Sequence, residues 1–380
     1  MVMSSEQNDR LTRVGPGTPC GNMLRRYWWP IAFTEEVQKK PFRARLLGED
    51  LVLFRDGAGK VGLLERACPH RGAGLELGRV ESDGLRCCYH GWKFDRAGAC
   101  LEMPAEPADT PLLKEVRQRA YATEEFAGLI FAYMGPLPVP VFPRIDLLVR
   151  DDMNREVYAK DDFCNWLQRA ENGHDPAHLG VLHAAGYPQL AFKRPKVTRE
   201  PMWYGFRTSS QFEGGAHNVS HQIFPSHTRR TGSRRGEAPR HYIHFRVPID
   251  DETTTTFYIR AEILPGGATG TTVFTGREEA VRGEYGHVED GWWGIPSREQ
   301  DRAAQESQGL IFDRSREFLA TSDENILVYR RLVEDSIRAV EEGRDPIGVL
   351  REAPQENILR FDATKNFADG EMKAPNMIGA

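Results

Sequence analysis

Two short loops, each carrying cysteine and histidine, constrain this chain more than any other feature. Residues 68–72 read Cys-Pro-His-Arg-Gly, and the segment 87–92, which begins after sixteen residues counted from His70, reads Cys-Cys-Tyr-His-Gly-Trp. Each loop offers one thiolate and one imidazole, so a fold that brings the loops together builds a four-ligand site. Two thiolates on one iron and two imidazoles on the other make a [2Fe–2S] centre. Such a centre accepts an electron more readily than an all-thiolate cluster, because neutral imidazole replaces anionic sulfur. The competing assignment is a structural zinc site, but zinc fingers usually pair Cys with Cys and His with His along the chain. In the second loop the thiolate is Cys87 at C-x2-H spacing or Cys88 at C-x-H spacing.

The remaining cysteines, Cys20, Cys100 and Cys164, are too sparse for a disulfide scaffold in 380 residues. The polar stretch from Met1 to Arg13 lacks the apolar core of an export signal, so a reducing cytoplasm is expected. No apolar run approaches the ~18 residues of a membrane helix. A net charge of −5 gives no footing for nucleic acid.

Length suggests two domains. The first 26 residues read as a loop and then a short helix, with Thr18 or Asn22 as its cap. From Tyr27 to about Tyr133, short β runs alternate with Gly and Asp turns (Asp56-Gly57, Asp83-Gly84), the pattern of an all-β unit. Four prolines between Gly135 and Pro143 favour an extended connector. The expected division is therefore 1–26, 27–140 and 141–380. The last part mixes elements: a helix from Phe163 to about Gly173, and strands His241–Val247 and Thr256–Leu264. Ser297 with Gln300 resembles a capping box. An apolar helical stripe runs through Ile326, Tyr329, Val333, Ile337 and Val340. The basic stretch Thr228–Gly236 reads as a solvated loop or a lid. No internal repeat is visible.

A second constellation lies at 175–183, where Asp175, His178 and His183 follow D-x2-H-x4-H. On a helix Asp175 and His178 share a face, while His183 is about 140° beyond His178. Gly180 would ease the bulge that brings both imidazoles to one metal. Two histidines and a carboxylate on one face of Fe(II) leave positions for O₂ and substrate nearby. His174, His217, His221, His227, His241, His244 and His287 are expected to be satisfied core or surface residues.

Cys68-Pro-His-Arg-Gly together with Cys87-x-Tyr-His-Gly-Trp-Lys-Phe94 resembles the Rieske domain of the aromatic-ring-hydroxylating oxygenases, and 175–183 resembles their mononuclear iron segment. Leu11–Pro19, Leu24–Trp28, Leu46–Asp56 and Phe312–Arg316 are similar to the phthalate dioxygenase branch. The resemblance implies an α+β chain. An N-terminal all-β Rieske domain would precede a catalytic domain whose central antiparallel sheet is flanked by helices. It selects Cys68, His70, Cys87 and His90 as cluster ligands, leaving Cys88, where the family usually has Pro, and Cys100 as small buried side chains. His178 and His183 would hold iron, with Asp301 as third ligand ahead of Glu306, Asp313 and Asp323. Asp175 would bridge His178 to His90 of a neighbouring subunit in a homotrimer or stacked trimers. Electrons from NAD(P)H would arrive through a separate flavin or ferredoxin-type reductase. The implied reaction is O₂-dependent dihydroxylation, monooxygenation or O-demethylation of an aromatic compound, here an aromatic carboxylate such as phthalate. Arg207 and Arg246 are the candidate carboxylate clamps. The competing classes are a Rieske electron-transfer protein without oxygenase activity and a zinc-stabilised binding module.

Overall fold

The computed structural model describes residues 3–186, 188–213, 217–232, 240–286, 291–352 and 358–359. The chain divides into two compact units, Arg25–Phe142 and Met1–Leu24 with Pro143–Ala380. Residues 1–24 thus belong to the second unit, where the sequence pattern marked only a separate segment. Among the described residues no helix is long and apolar enough to cross a membrane.

The Arg25–Phe142 unit is built from two antiparallel sheets. Six strands run in the spatial order Trp28–Phe33, Leu129–Tyr133, Ala120–Phe126, Val61–Glu65, Glu49–Arg55 and Phe42–Leu46. Four short strands (Arg79–Val80, Leu85–Arg86, Lys93–Phe94, Cys100–Glu102) form the second sheet. Val52, Phe54, Leu64, Leu75, Leu85 and Phe94 are buried together with Cys68 and Cys87. The two cysteine-bearing loops therefore stand on a packed apolar floor.

The second unit carries an eight-stranded sheet. Its strands are β1 (Met153–Asp162), β2 (Pro195–Met202), β3 (Gly205–Phe212), β4 (His217–Ile223), β5 (His227–Gly232), β6 (Arg240–Pro248), β7 (Thr254–Ile263) and β8 (Thr272–Glu278), in the order β2-β3-β4-β5-β6-β7-β1-β8. Neighbours are antiparallel except β1 and β8. Part of the expected basic loop, Thr228–Gly232, is strand β5, because its β-branched residues pair with β6. Residues 233–236 of that stretch, and His287, lie outside the described residues.

Three helices matter for the site: α1 (Trp166–His174), α2 (Ser297–Glu306) and α3 (Glu324–Glu341). Asn165 caps α1 by accepting the Leu167 N–H at 3.1 Å. α1 ends at His174 because Asp175 precedes Pro176, which drives Asp175 to extended backbone (φ −96°, ψ 105°). The helix thus ends within a residue of the expected Gly173, and the helical geometry considered for 175–183 gives way to a single 3₁₀ turn at His178–Gly180. Gly180 is needed there for close approach, since a Cβ would lie 2.7 Å from the Leu190 carbonyl oxygen. α2 starts behind Pro296 with no side-chain cap, so Ser297 and Gln300 do not form the expected capping box. A capping box does occur where none was expected, between Ser4 and Gln7 at the head of helix Ser5–Thr12. Thr18 accepts the Gly21 N–H at 3.1 Å, as a cap would.

A buried ion network fixes α1. Glu171 accepts from Arg314 at 3.0 and 2.8 Å and from Arg330 of α3 at 2.6 Å. Burial pushes the Glu171 carboxyl up, but the two guanidinium groups outweigh it and hold the pKa below its ordinary value. The stability this contributes is present above the unfolded carboxylate pKa and is lost as acid protonates Glu171. Replacing Arg314 by Met leaves the buried carboxylate half paired and should cost about 3 kcal/mol at neutral pH. A denaturant midpoint that does not move would show that Arg330 alone suffices.

Candidate metal centres and substrate cavity

The two loops of the first unit share one backbone form. In the first, the Cys68 N–H donates to the Ala73 carbonyl and the Gly72 N–H returns to the Cys68 carbonyl, at 2.9 and 2.8 Å. In the second, the Cys87 N–H donates to the Trp92 carbonyl and the Gly91 N–H returns to the Cys87 carbonyl, at 2.8 and 3.2 Å. Gly72 and Gly91 each have φ +75°, a left-handed turn that favours glycine. Cys68 and Cys87 are both 3% exposed. The His70 and His90 rings meet edge to face at 4.4 Å, and Trp92 stacks flat on His70 at 4.4 Å. Cys100 is buried as expected, but Cys88 is exposed, which corrects the expectation for it.

Burial pushes the Cys68 thiol up to about 12, with the neighbouring Cys87 adding to the effect. Two adjacent buried thiols ionise readily only beside a cation, and the Nδ1 of His70 is buried without a hydrogen-bond partner among the described residues. These donors suit an iron–sulfur cluster.

In the second unit, ligand atoms of His178, His183 and Asp301 lie within 4.8 Å of one another. Asp301 Oδ1 is 3.1 Å from His183 Nε2 and 3.6 Å from His178 Nε2. Each imidazole faces a side-chain oxygen at its other nitrogen, His183 through a hydrogen bond and His178 through a longer ion-pair contact. His183 Nδ1 hydrogen-bonds Gln300 Oε1 at 2.9 Å, and His178 Nδ1 lies 3.5 Å from Asp175 Oδ2. Asp175 Oδ1 in turn accepts the Ala177 N–H at 2.7 Å. Holding Nδ1 leaves Nε2 as the lone-pair donor, the arrangement that orients metal-binding histidines. Burial pushes the Asp301 carboxyl up, but the His183 hydrogen bond and the charges of His178, His183 and Arg169 hold it well below the carboxylate range. Burial lowers the His178 pKa, yet Asp175 and Asp301 outweigh it and leave it raised. Such a cluster favours a cation at its centre, and the two histidines with one carboxylate suit Fe(II). Glu306, Asp313 and Asp323 are not in the cluster.

Asn172, which donates to Asp301 Oδ1 at 3.1 Å, was not singled out by sequence, and Gln300 was read only as part of a capping box, not as a partner of His183. Gln300 is one residue from Asp301, the only local hint of its place.

The cluster borders a cavity of about 350 Å³ between α1, α2 and one face of the sheet. The face is a period-2 pattern written across strands. Gln222, Thr228, His244, Tyr258 and Tyr158 are successive cross-strand partners, as are Thr208, Ser220, Arg230, Tyr242 and Arg260, and both rows line the cavity. Arg246 lines it too and is 4% exposed. Its Nη1 donates to Thr228 Oγ1 at 3.1 Å and the Ser226 carbonyl at 3.3 Å, its Nε has no partner, and it forms no ion pair among the described residues. Burial and the nearby Arg169 charge lower it to about 10. Arg207 is different. It pairs with Glu200 at 2.7 Å and does not line the cavity.

Of the histidines expected to be satisfied, His174 is buried with both ring nitrogens unpartnered among the described residues, and His174 and His244 line the cavity.

A model of the Rieske [2Fe-2S] domain matches residues 27–124, and one described as LigXa C-terminal domain like matches 271–368. The 5,5'-dehydrodivanillate O-demethylase oxygenase subunit of Sphingobium sp. (strain NBRC 103272 / SYK-6) is 36% identical, over 92% of this chain and 84% of its own. The chain belongs to the Rieske oxygenases. The phthalate 4,5-dioxygenase oxygenase subunit of Pseudomonas putida is another relative, 32% identical over 95% of this chain and 92% of its own. Among solved structures, the terminal oxygenase of carbazole 1,9a-dioxygenase from Nocardioides aromaticivorans IC177 has a TM-score of 0.65 at 17% identity. It covers 87% of this chain and 99% of its own, a likeness of fold. As a Rieske oxygenase α subunit, this protein carries a Rieske [2Fe–2S] cluster and a mononuclear iron and takes electrons from a reductase component. The zinc-module and pure electron-transfer assignments fall with that membership.

Proposed function

We propose that this Rieske oxygenase hydroxylates or O-demethylates an aromatic carboxylate in the cytoplasm, as a homotrimer or stacked trimers. The observation that carries the substrate class is Arg246, a buried guanidinium without a carboxylate partner among the described residues, in the cavity that His178, His183 and Asp301 border. A buried cation without a counter-ion is costly, and a substrate carboxylate would relieve it through charge-assisted hydrogen bonds. The named relatives fit, since one is a phthalate 4,5-dioxygenase subunit and another a 5,5'-dehydrodivanillate O-demethylase subunit. Arg207, the other candidate clamp, is left out because Glu200 already neutralises it.

In this reading Cys68, His70, Cys87 and His90 hold the cluster, and His178, His183 and Asp301 hold the iron. The cluster supplies electrons one at a time and the iron supplies O₂ activation. The chain's own work is positional. Asp175 and Gln300 fix the two imidazoles by their Nδ1 atoms, and Arg246 fixes the acid end of the substrate. Asp175 is also the link to His90 of a neighbouring subunit.

Three experiments test this. With a reductase, ¹⁸O₂ and a panel of aromatic acids, product analysis should find label in at least one acid-derived product, or formaldehyde from a methoxy substrate. Arg246→Met should raise KM for that acid by about 10–100-fold, the loss of a charge-assisted contact of 1.5–3 kcal/mol. An unchanged KM removes the clamp. Asp175→Ala should cut turnover by more than about 10-fold while both metal sites stay filled. Unchanged turnover there removes the link.

A further inference from the structure

The cavity wall holds a second cation that the carboxylate reading does not use. Arg230 lies on β5, its guanidinium carbon 4.6 Å from the centre of the Tyr242 ring, its cross-strand partner on β6. It lines the cavity and forms no ion pair among the described residues. The other basic residues of the wall are already neutralised. Lys160 pairs with Glu299 at 2.6 Å, Arg169 with Asp162 at 2.9 Å, Arg260 with Glu156 at 3.2 Å and Arg240 with Glu262 at 2.8 Å. Arg298 lies 3.8 Å from Glu278. Two guanidinium groups, Arg246 and Arg230, therefore remain to meet a ligand.

Their separation is set by strand geometry. Arg246 is tied to Thr228, while Arg230 sits over Tyr242. Thr228 and Arg230 are two residues apart on β5, and Tyr242 and Arg246 four apart on β6. At ~3.4 Å per residue the two heads stand one to two strand repeats apart, ~7 to ~14 Å. Acid groups on adjacent ring carbons are too close together to reach both. Acid groups at opposite ends of an aromatic skeleton are not. His244 occupies the strand position between the two anchors and lines the same cavity. A ligand held at both ends would lay its middle over that residue.

We infer that Arg230 is a second anion-binding point and that the site takes an elongated aromatic dianion, with its acid groups at opposite ends. This rests on Arg246 as the first anchor. Its effect is selectivity by length. Arg246 holds any aromatic acid, and only an elongated diacid also reaches Arg230.

The test is calorimetric titration of the anaerobic holoenzyme with benzoate, phthalate, terephthalate and biphenyl-3,3'-dicarboxylate. At least one of the two elongated diacids should bind about 10-fold tighter than benzoate and phthalate, the value of one added charge-assisted contact. In Arg230→Gln that ratio should fall toward one, and in Arg230→Lys part of it should return. If phthalate binds as tightly as both elongated diacids, or if Arg230→Gln weakens benzoate and diacids equally, the second anchor is wrong. Arg246→Met with benzoate separates the two readings. Loss of benzoate binding there keeps the first anchor whatever Arg230 does. Retained benzoate binding removes the first anchor and the second with it.

Discussion

Asp301→Ala should leave a red-brown protein that has lost its mononuclear iron and its oxygenase activity. The carboxylate is the one anionic group in the cluster with His178 and His183, and both Nε2 atoms face the same Oδ1. Without it two neutral imidazoles remain, a weak set for Fe(II). Loss of an outer-shell partner of a metal site costs about 10–100-fold, and loss of this inner group should exceed that. Iron analysis should fall toward the content of the cluster alone, while the visible absorption of the cluster in the other unit stays. Asp301→Glu keeps the charge and should recover part of the iron. If Asp301→Ala binds iron as tightly as the wild type, another acid completes the site and the assignment fails. Asn172→Leu would help to read a partial effect, since Asn172 donates to the same Oδ1.

Much of this centre was legible because its chemistry is written locally. The D-x2-H-x4-H pattern picked out His178 and His183, and family likeness picked out Asp301. The geometry that joins them was less legible. A helical reading kept Asp175 and His178 on one face, but Pro176 ends the helix, and a 3₁₀ turn presents the first histidine instead. The same local rule, that a residue before proline leaves the helical region, was available and was outweighed by the motif. Gln300 was read as a helix cap and instead holds His183. Its role depends on a contact 117 residues away in sequence, which no window of local pattern contains.

The two arginine candidates separate for a reason of parity. Along β3, Thr208 and Ser210 line the cavity, so Arg207 falls on the other face, where Glu200 of β2 meets it. Along β6, Arg240, Tyr242, His244 and Arg246 all line the cavity. Side chains alternate strictly along a strand, so a shift of one residue decides which arginine sees substrate. The sequence shows two arginines in strand-like text but not the register that assigns their faces. Arg230 was hidden more deeply, because its stretch was read as a loop and a loop has no parity.

Cys87→Ala should abolish the cluster, whereas Cys88→Ala should leave it intact, although both cysteines are two or three residues from His90. The decisive argument is the shared backbone form of the two loops. Each begins with a cysteine whose N–H donates five residues ahead and whose carbonyl accepts from a glycine four residues ahead. Cys68 and Cys87 occupy that first position, and both are buried at 3% exposure. Cys88 occupies the second position, which is Pro69 in the other loop. Pro69 is exposed, and so is Cys88. A side chain at the second position thus points to solvent in both loops, whatever its chemistry. Purified Cys87→Ala should be colourless with little acid-labile sulfide, and without electron entry it should have no turnover. Cys88→Ala should match the wild type in colour, sulfide and reduction potential. Cys88→Pro gives a sharper check, because it makes the second position of both loops the same residue. A colourless Cys88→Ala protein beside a coloured Cys87→Ala protein would overturn the ligand choice and with it the equivalence of the loops.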